Sequence, residues 1–360
     1  MKKLRVAIIG QGRSGRGIHG RYLVTDPARF QIVAAVDPIK NRRDWAANAY
    51  GCDTYSKHAP LLKRDDLDLV INASPSHQHV PISLEFLNAG FNVLCEKPLA
   101  SKAKDVDNLI AASKKSKKVL AIFQQSRFAP YFEQIRKVID SGILGDIVQI
   151  SIAFNGFSRR YDWQTLTEYM GGNLLNTGPH PMDQALQLFG TDTMPKVICV
   201  MRCANTYGDA EDHVNIILTE KGRKPTGRPI IHLEISSCCA YPSFTYNVYG
   251  TRGGLKGSTS EMEWRYYDPK EAPKLRLIRK PLDGPNKEPV YCSDAIKWRK
   301  KTWRVPKAKR DLFTYMSGSF YRMLHKTLTT GAPLLITPQQ VRQQIAVIEE
   351  CHRQNPHIYR

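Results

Sequence analysis

No stretch of the chain approaches the roughly 18 consecutive apolar residues of a membrane span. The opening MKKLRVAIIG is basic, but its apolar run is too short for a secretory h-region and Arg13 follows closely. Cysteine is present without pattern. Cys52, Cys95, Cys199, Cys203, Cys238, Cys239, Cys292 and Cys351 form no C-x-x-C and no zinc-type pair of pairs, so no metal site is expected and reduced thiols of a cytoplasmic protein are. No internal repeat is found. Acid is scarce: 33 Asp and Glu stand against 53 Lys and Arg, a formal charge of +20. That excess predicts an anionic partner and says nothing about fold.

What is present is an ordinary globular composition, 42% hydrophobic and 24% charged, in 360 residues, enough for two domains. Short apolar runs at 4–9, 31–36, 67–74, 92–95 and 119–123 alternate with helical patterns at 14–23, 81–90 and 105–115. That rhythm predicts parallel strands joined by helical crossovers, a doubly wound α/β sheet. After Phe123 it changes. A helix over 130–142 precedes strand-like runs at 146–154, 196–203, 213–219, 229–237, 245–249 and 262–267, with a Gly-rich break at 250–254. Strands without intervening helices predict an α+β unit with a largely antiparallel sheet, so residues 1–124 and 125–360 are read as separate domains. A last helix over 337–354 opens on Thr337 as cap and Pro338 at its first position.

GQGRSG sets Gly10, Gly12 and Gly15 between the first strand and its helix, the context a dinucleotide fingerprint requires. The first glycine permits the turn, the second admits a pyrophosphate, and the third lets helix and strand close up. Gln11, Arg13 and Ser14 complete the loop. Asp37, ending the second strand, can accept from both ribose hydroxyls and would repel a 2′-phosphate, which favours NAD. The nearby KNRR at 40–43 leaves NADP open.

Glu96-Lys97-Pro98 ends a buried strand, on the sheet edge where ligands bind. An ammonium held there can steady a developing alkoxide; alone, Lys97 reads equally as a loop residue paired with Glu96. AIIGQGRSGRGIH (7–19), INASPSHQHV (71–80), NAGFNVLCEKPLA (88–100), FQQSRFAPYF (123–132), SGILGDIVQI (141–150) and GGNLLNTGPHPMDQALQLFG (171–190) occur in this order. With the C-terminal GAPLLITPQQ (331–340), they make nearly the whole chain resemble the Gfo/Idh/MocA family of sugar and cyclitol oxidoreductases. The resemblance implies a Rossmann domain, a second domain with an open sheet often used for oligomerisation, a bound nicotinamide, and hydride transfer at a hydroxyl-bearing carbon. A dimer or tetramer is therefore expected. The resemblance makes Lys97 catalytic, places Ser74, Pro75 and Glu96 beside the cofactor, and makes His79 a cofactor-side structural residue.

The family's aspartate four residues before a histidine is replaced here by Asn176, ahead of His180. Asparagine can orient a hydroxyl but cannot raise the basicity of the histidine. His180, between Pro179 and Pro181, is a rigid packing residue or a fixed proton acceptor. With Pro181 read as the first helical residue, it sits near the N-cap, where the helix dipole disfavours imidazolium. Asp183 is expected to cap that helix. Gly171 and Gly172 suggest close approach to a ligand, or a plain loop. Arg160 and Trp163, in RRYDWQ, suit a sugar or an anionic sugar, though core packing explains Trp163 equally well. KWRKKTWRVPKAKR (297–310) reads as a solvated loop or oligomer contact, a rim for acidic sugars, or a nucleic-acid site; its position inside a domain weighs against the last.

The sequence thus predicts NAD(P)-dependent oxidation or reduction of a sugar or cyclitol hydroxyl. His180 takes the proton, Lys97 steadies the alkoxide and Asn176 orients a neighbouring hydroxyl. A glycosidase acting through transient oxidation, and a dinucleotide sensor that has lost catalysis, are the alternatives.

Overall fold

A computed structural model describes residues 2–222 and 227–359. The first sheet has six parallel strands: β1 (Leu4–Ile9), β2 (Phe30–Val36), β3 (Asp53–Tyr55), β4 (Leu69–Asn72), β5 (Val93–Cys95) and β6 (Leu120–Ile122). Their order is β3-β2-β1-β4-β5-β6. β1, β4, β5 and β6 are buried almost throughout, as strands covered on both faces must be. The order reverses between β1 and β4, which leaves a crevice beyond their carboxyl ends.

The second sheet contains β7 (Ile147–Asn155), β8 (Lys196–Arg202), β9 (His213–Thr219), β10 (Ile230–Ser236), β11 (Tyr246–Gly250), β12 (Gly253–Gly257) and β13 (Glu261–Tyr266). After a small hairpin of β14 (Leu282–Asp283) and β15 (Pro289–Val290), β16 (Arg299–Arg304) returns to its edge. The order is β16-β13-β12-β11-β7-β10-β9-β8, antiparallel except where β10 lies parallel to β7. In β8 and β9 residues alternate between core and surface, the mark of a sheet buried on one face.

The helix expected over 14–23 is instead a π-helical turn, Gly15–Gly20, running into Arg21–Leu23. The basic tract is not a loop: residues 299–304 form the outermost strand, in register with β13 from Glu261↔Arg304 to Tyr266↔Arg299. Lysines and arginines on an edge strand oppose pairing with another chain. Two helices, Lys40–Tyr50 and Leu312–Thr330, were not expected from the pattern. The last, Pro338–Arg353, starts as read: Thr337 Oγ1 accepts from Gln340 N, and the Gln340 side chain accepts from Thr337 N. The first sheet ends at Ile122 and the second begins at Ile147, yet the late helices serve both. Leu312–Thr330 reaches Tyr22 and Phe30 through Tyr321, and His325 Nε2 lies 2.8 Å from the carbonyl of Lys2. One continuous core joins the sheets.

Candidate active site

A cleft of about 1200 Å3 opens at the crevice of the first sheet and runs to the first turns of the 179–189 helix. Its lining brings together Gly10, Gly12, Arg13, Ser14, Asp37, Ser74, Pro75, His79, Glu96, Lys97, Arg160, Trp163, Asn176 and His180. Gln11 and Gly15 lie just behind it, buried.

Gly10 adopts φ +88° with its α-carbon turned toward the Ala73 carbonyl, so a side chain there meets backbone. A Cβ on Gly15 would strike the Gly10 carbonyl, whereas at Gly12 it would meet only an Arg42 nitrogen, at 3.8 Å. The middle glycine therefore faces open cleft. The N–H groups of Gly12, Arg13 and Ser14 have no acceptor among the described residues, as expected of a helix start that receives an anion. These features fit a dinucleotide pyrophosphate. Asp37 lines the cleft with both oxygens already accepting backbone N–H groups. Its Oδ2 accepts from Gln11 N at 2.8 Å and its Oδ1 from Ile39 N at 2.9 Å, while Arg42 Nη1 stands 3.5 Å from Oδ2. The carboxylate braces the glycine loop, and Arg42 stands beside it on the cleft wall.

Across β4 and β5, His79 is a strut. Nδ1 lies 2.7 Å from the Pro98 carbonyl and Nε2 2.9 Å from the Ser74 carbonyl, so neither ring nitrogen is left for a metal. Burial pushes its pKa down despite the two carbonyls and the Glu96 charge. Among the described residues no cluster of three or more His, Cys, Asp or Glu could hold a metal ion.

Lys97 closes β5, and its peptide bond to Pro98 is cis. Nζ donates to the Asn176 carbonyl at 2.6 Å, joining the two halves of the cleft. Burial lowers the lysine pKa; Glu96 works against this, and Arg13 and Arg160 add to it. Glu96, itself buried, would be driven up by burial, but His19 and Lys97 hold it down at about 2. Glu96 Oε2 accepts from Lys97 N at 3.0 Å, and Oε1 faces His19 Nε2 at 3.1 Å. The other nitrogen of His19 lies 2.6 Å from Tyr321 Oη.

His180 sits one residue inside its helix rather than at the cap. The helix begins at Pro179, with Gly178 as N-cap. Burial and the nearby Lys97 press the imidazole down to about 3, with Glu96 opposing, so the ring is neutral near pH 7. Its Nδ1 is buried without a hydrogen-bond partner. The side chain of Asn176 makes no hydrogen bond to the described residues, leaving its amide to the cleft.

Asp183 is not a cap. It forms a two-point ion pair with Arg127: Nε to Oδ2 at 2.9 Å and Nη2 to Oδ1. A carboxylate on the core-facing side of the helix takes the buried cation instead of free amides. The amides of Gln124 and Gln344 both donate to the Pro179 carbonyl, next to His180. A lone Gln or Arg in FQQSRF or VRQQ carries no pattern of its own, so the sequence does not single these residues out. Gly171 and Gly172 do not make room for a ligand. A Cβ on the first would strike the Gln164 carbonyl, and on the second, at φ +99°, the Glu211 carboxylate. Arg160 holds Asp162 through Nε at 3.0 Å and Gln164 through Nη2 at 2.7 Å. Trp163 is 45% exposed, which removes the core-packing reading. Tyr169 stands edge-on to it at 6.3 Å and packs at a tilt on His77 at 5.4 Å. No residue of 297–310 lines the cleft, so the tract is not its rim.

Residues 4–124 match the family model "Oxidoreductase family, NAD-binding Rossmann fold", and 132–256 match the GFO/IDH/MocA C-terminal domain. An uncharacterized oxidoreductase of Schizosaccharomyces pombe is 26% identical, over 98% of this chain and 97% of its own. The scyllo-inositol 2-dehydrogenase (NADP(+)) IolW of Bacillus subtilis is 25% identical over 96% and 92%. Among solved structures, GenD2 from gentamicin A biosynthesis, in complex with NAD, superposes with a TM-score of 0.77 at 21% identity, covering 99% and 95%. No helix among the described residues is long and apolar enough to cross a membrane. With both domains matched in order, and with the glycine loop, Lys97 and His180 gathered on one cleft, the chain belongs to the Gfo/Idh/MocA family of NAD-binding oxidoreductases.

Proposed function

We propose that the protein transfers a hydride between a nicotinamide cofactor and the hydroxyl-bearing carbon of a sugar, sugar derivative or cyclitol. The observation that carries this reading is the meeting of Lys97 and His180 at one end of the cleft, where Lys97 Nζ lies 2.6 Å from the carbonyl of Asn176, four residues before the histidine. When bound, the nicotinamide supplies or takes the hydride. In the oxidation direction His180, neutral and with its pKa near 3, accepts the hydroxyl proton. So weak a base needs help, and the Lys97 ammonium provides it by favouring the alkoxide. Asn176 orients a neighbouring hydroxyl with its unengaged amide. Arg160 and Trp163 bound the substrate end, where the guanidinium suits an acidic sugar and the indole a ring face. The name of the inositol dehydrogenase among the relatives supports a polyol substrate.

The test is a screen of sugars, uronates and inositols with NAD and NADP, following the absorbance of the reduced nicotinamide. Turnover on at least one polyol is expected, and Lys97→Ala should lower it about tenfold or more. Undiminished activity in that variant removes the lysine from the mechanism. Tight nucleotide binding with no turnover across the panel would make the protein a sensor, the reading that Asn176 raises.

A further inference from the structure

Beneath Lys97 lies a row of buried groups that the proposed chemistry does not use. Tyr321 Oη lies 2.6 Å from His19 Nδ1, His19 Nε2 lies 3.1 Å from Glu96 Oε1, and Glu96 Oε2 accepts from Lys97 N at 3.0 Å. His19 is 0% exposed and Glu96 3%. Neither His19 Nε2 nor Glu96 Oε1 makes a well-aligned hydrogen bond to any described residue, so two orphaned buried polar atoms face each other at 3.1 Å. The row begins on the 312–330 helix, crosses the first turn after the glycine loop, and ends at the lysine.

We propose that Tyr321, His19 and Glu96 act as one positioning chain that fixes the carboxylate beneath Lys97 and thereby keeps the lysine ammonium charged at the pH of catalysis. The inference rests on the reading of Lys97 as the group that steadies the alkoxide. Its logic is directional. If the tyrosine hydroxyl donates to Nδ1, the imidazole must carry its proton on Nε2 and present it to Glu96, while the Lys97 backbone N–H donates from the other side. A buried carboxylate that accepts an N–H on one oxygen and faces an imidazole at 3.1 Å on the other stays ionised. The need is plain from the surroundings. Lys97 is faced by Arg13 from the glycine loop, Arg160 from the 156–162 loop, His180 from the 179–189 helix and His79 from the 79–88 helix. Glu96 is the anion that opposes them. Tyr321 is held in place by aromatic neighbours, stacked on Tyr22 at 4.9 Å and edge-on to Phe30 at 5.3 Å, so the chain starts from a rigid point.

The experiment is a pair of pH titrations on Glu96→Gln, His19→Phe and Tyr321→Phe beside wild type. One follows kcat/KM on the best substrate. The other follows the Lys97 side chain by NMR after 13C-methylation, its resonance assigned by its loss in Lys97→Arg, and needs no turnover. Glu96→Gln, nearly isosteric, should move both the alkaline limb of the profile and the Lys97 titration to lower pH by about one unit, the effect of losing the neighbouring opposite charge. His19→Phe should shift both in the same direction, and Tyr321→Phe by less. Unchanged Lys97 titration in Glu96→Gln and His19→Phe, in proteins that still bind nucleotide, overturns the proposal. A shifted Lys97 titration in a protein without turnover on any polyol upholds the chain while refuting the proposed reaction.

Discussion

Asn176 ends the short turn Asn173–Asn176, four residues before His180, and an amide rather than a carboxylate there bears on how the histidine titrates. Burial and Lys97 hold the imidazole near 3, with Glu96 opposing. Its protonation should therefore leave no acid limb in kcat/KM near neutrality. Asn176→Asp brings an opposite charge close and should raise the histidine pKa by at least one unit, moving the acid limb to higher pH. The pH profile and imidazole NMR would both register it, and an acid limb that stays in place would show that residue 176 does not face the ring. The glycine loop, Lys97 and His180 were legible because each carries a short motif with its own physical reason. Gln124, Arg127 and Gln344 were not, since what makes them matter is the Pro179 carbonyl or the Asp183 carboxylate brought to them by folding.

The 179–189 helix is fixed in place by polar contacts as well as by packing. The Arg127 side chain is 7% exposed and that of Asp183 2%. Removing one partner of such a pair strands a buried charge, which costs about 3–5 kcal/mol. Asp183→Ala should lose about that much in urea unfolding, and Arg127→Met with Asp183→Leu together should recover most of it. A loss below about 1 kcal/mol in the single variant would mean that the pair is solvated. Elements were read well where apolar period was clean, as in β9, predicted at 213–219 and found at His213–Thr219. They were missed where burial fell on the wrong residue types. The 312–330 helix turns Ser317, Gly318, His325 and Thr327 inward along with Phe320, Tyr321 and Leu324, which blurs its stripe. β16 hides its strand character behind four cations, with Trp303 opposite Met262 as its core-side contact.

At the scale of the molecule, Glu211 makes the fold sensitive to pH. Burial is the main cause that raises its carboxyl from 4.5 to about 7, with Asp212 adding, while Tyr359 and the Leu174 N–H oppose the rise. In the unfolded chain this group ionises first, so between about pH 4.5 and 7 the folded state holds a proton that the unfolded state has released. Stability should fall as pH rises through that window, by about 3 kcal/mol at about 1.4 kcal/mol per unit. Glu211→Gln should flatten the decline, and chemical denaturation at pH 5 and pH 8 would measure it. Equal slopes in wild type and variant would exclude Glu211 as the cause.

The return of the 312–330 helix to Tyr22, Phe30 and the Lys2 carbonyl has a consequence for biosynthesis. A nascent chain that has emerged only as far as β6 holds a complete parallel sheet with one flank bare. Synthesis must run nearly 200 residues further before the segment covering that flank leaves the ribosome. The amino-terminal third therefore waits, partly uncovered, while about half of the chain is made, and it offers exposed apolar surface of the kind that chaperones recognise.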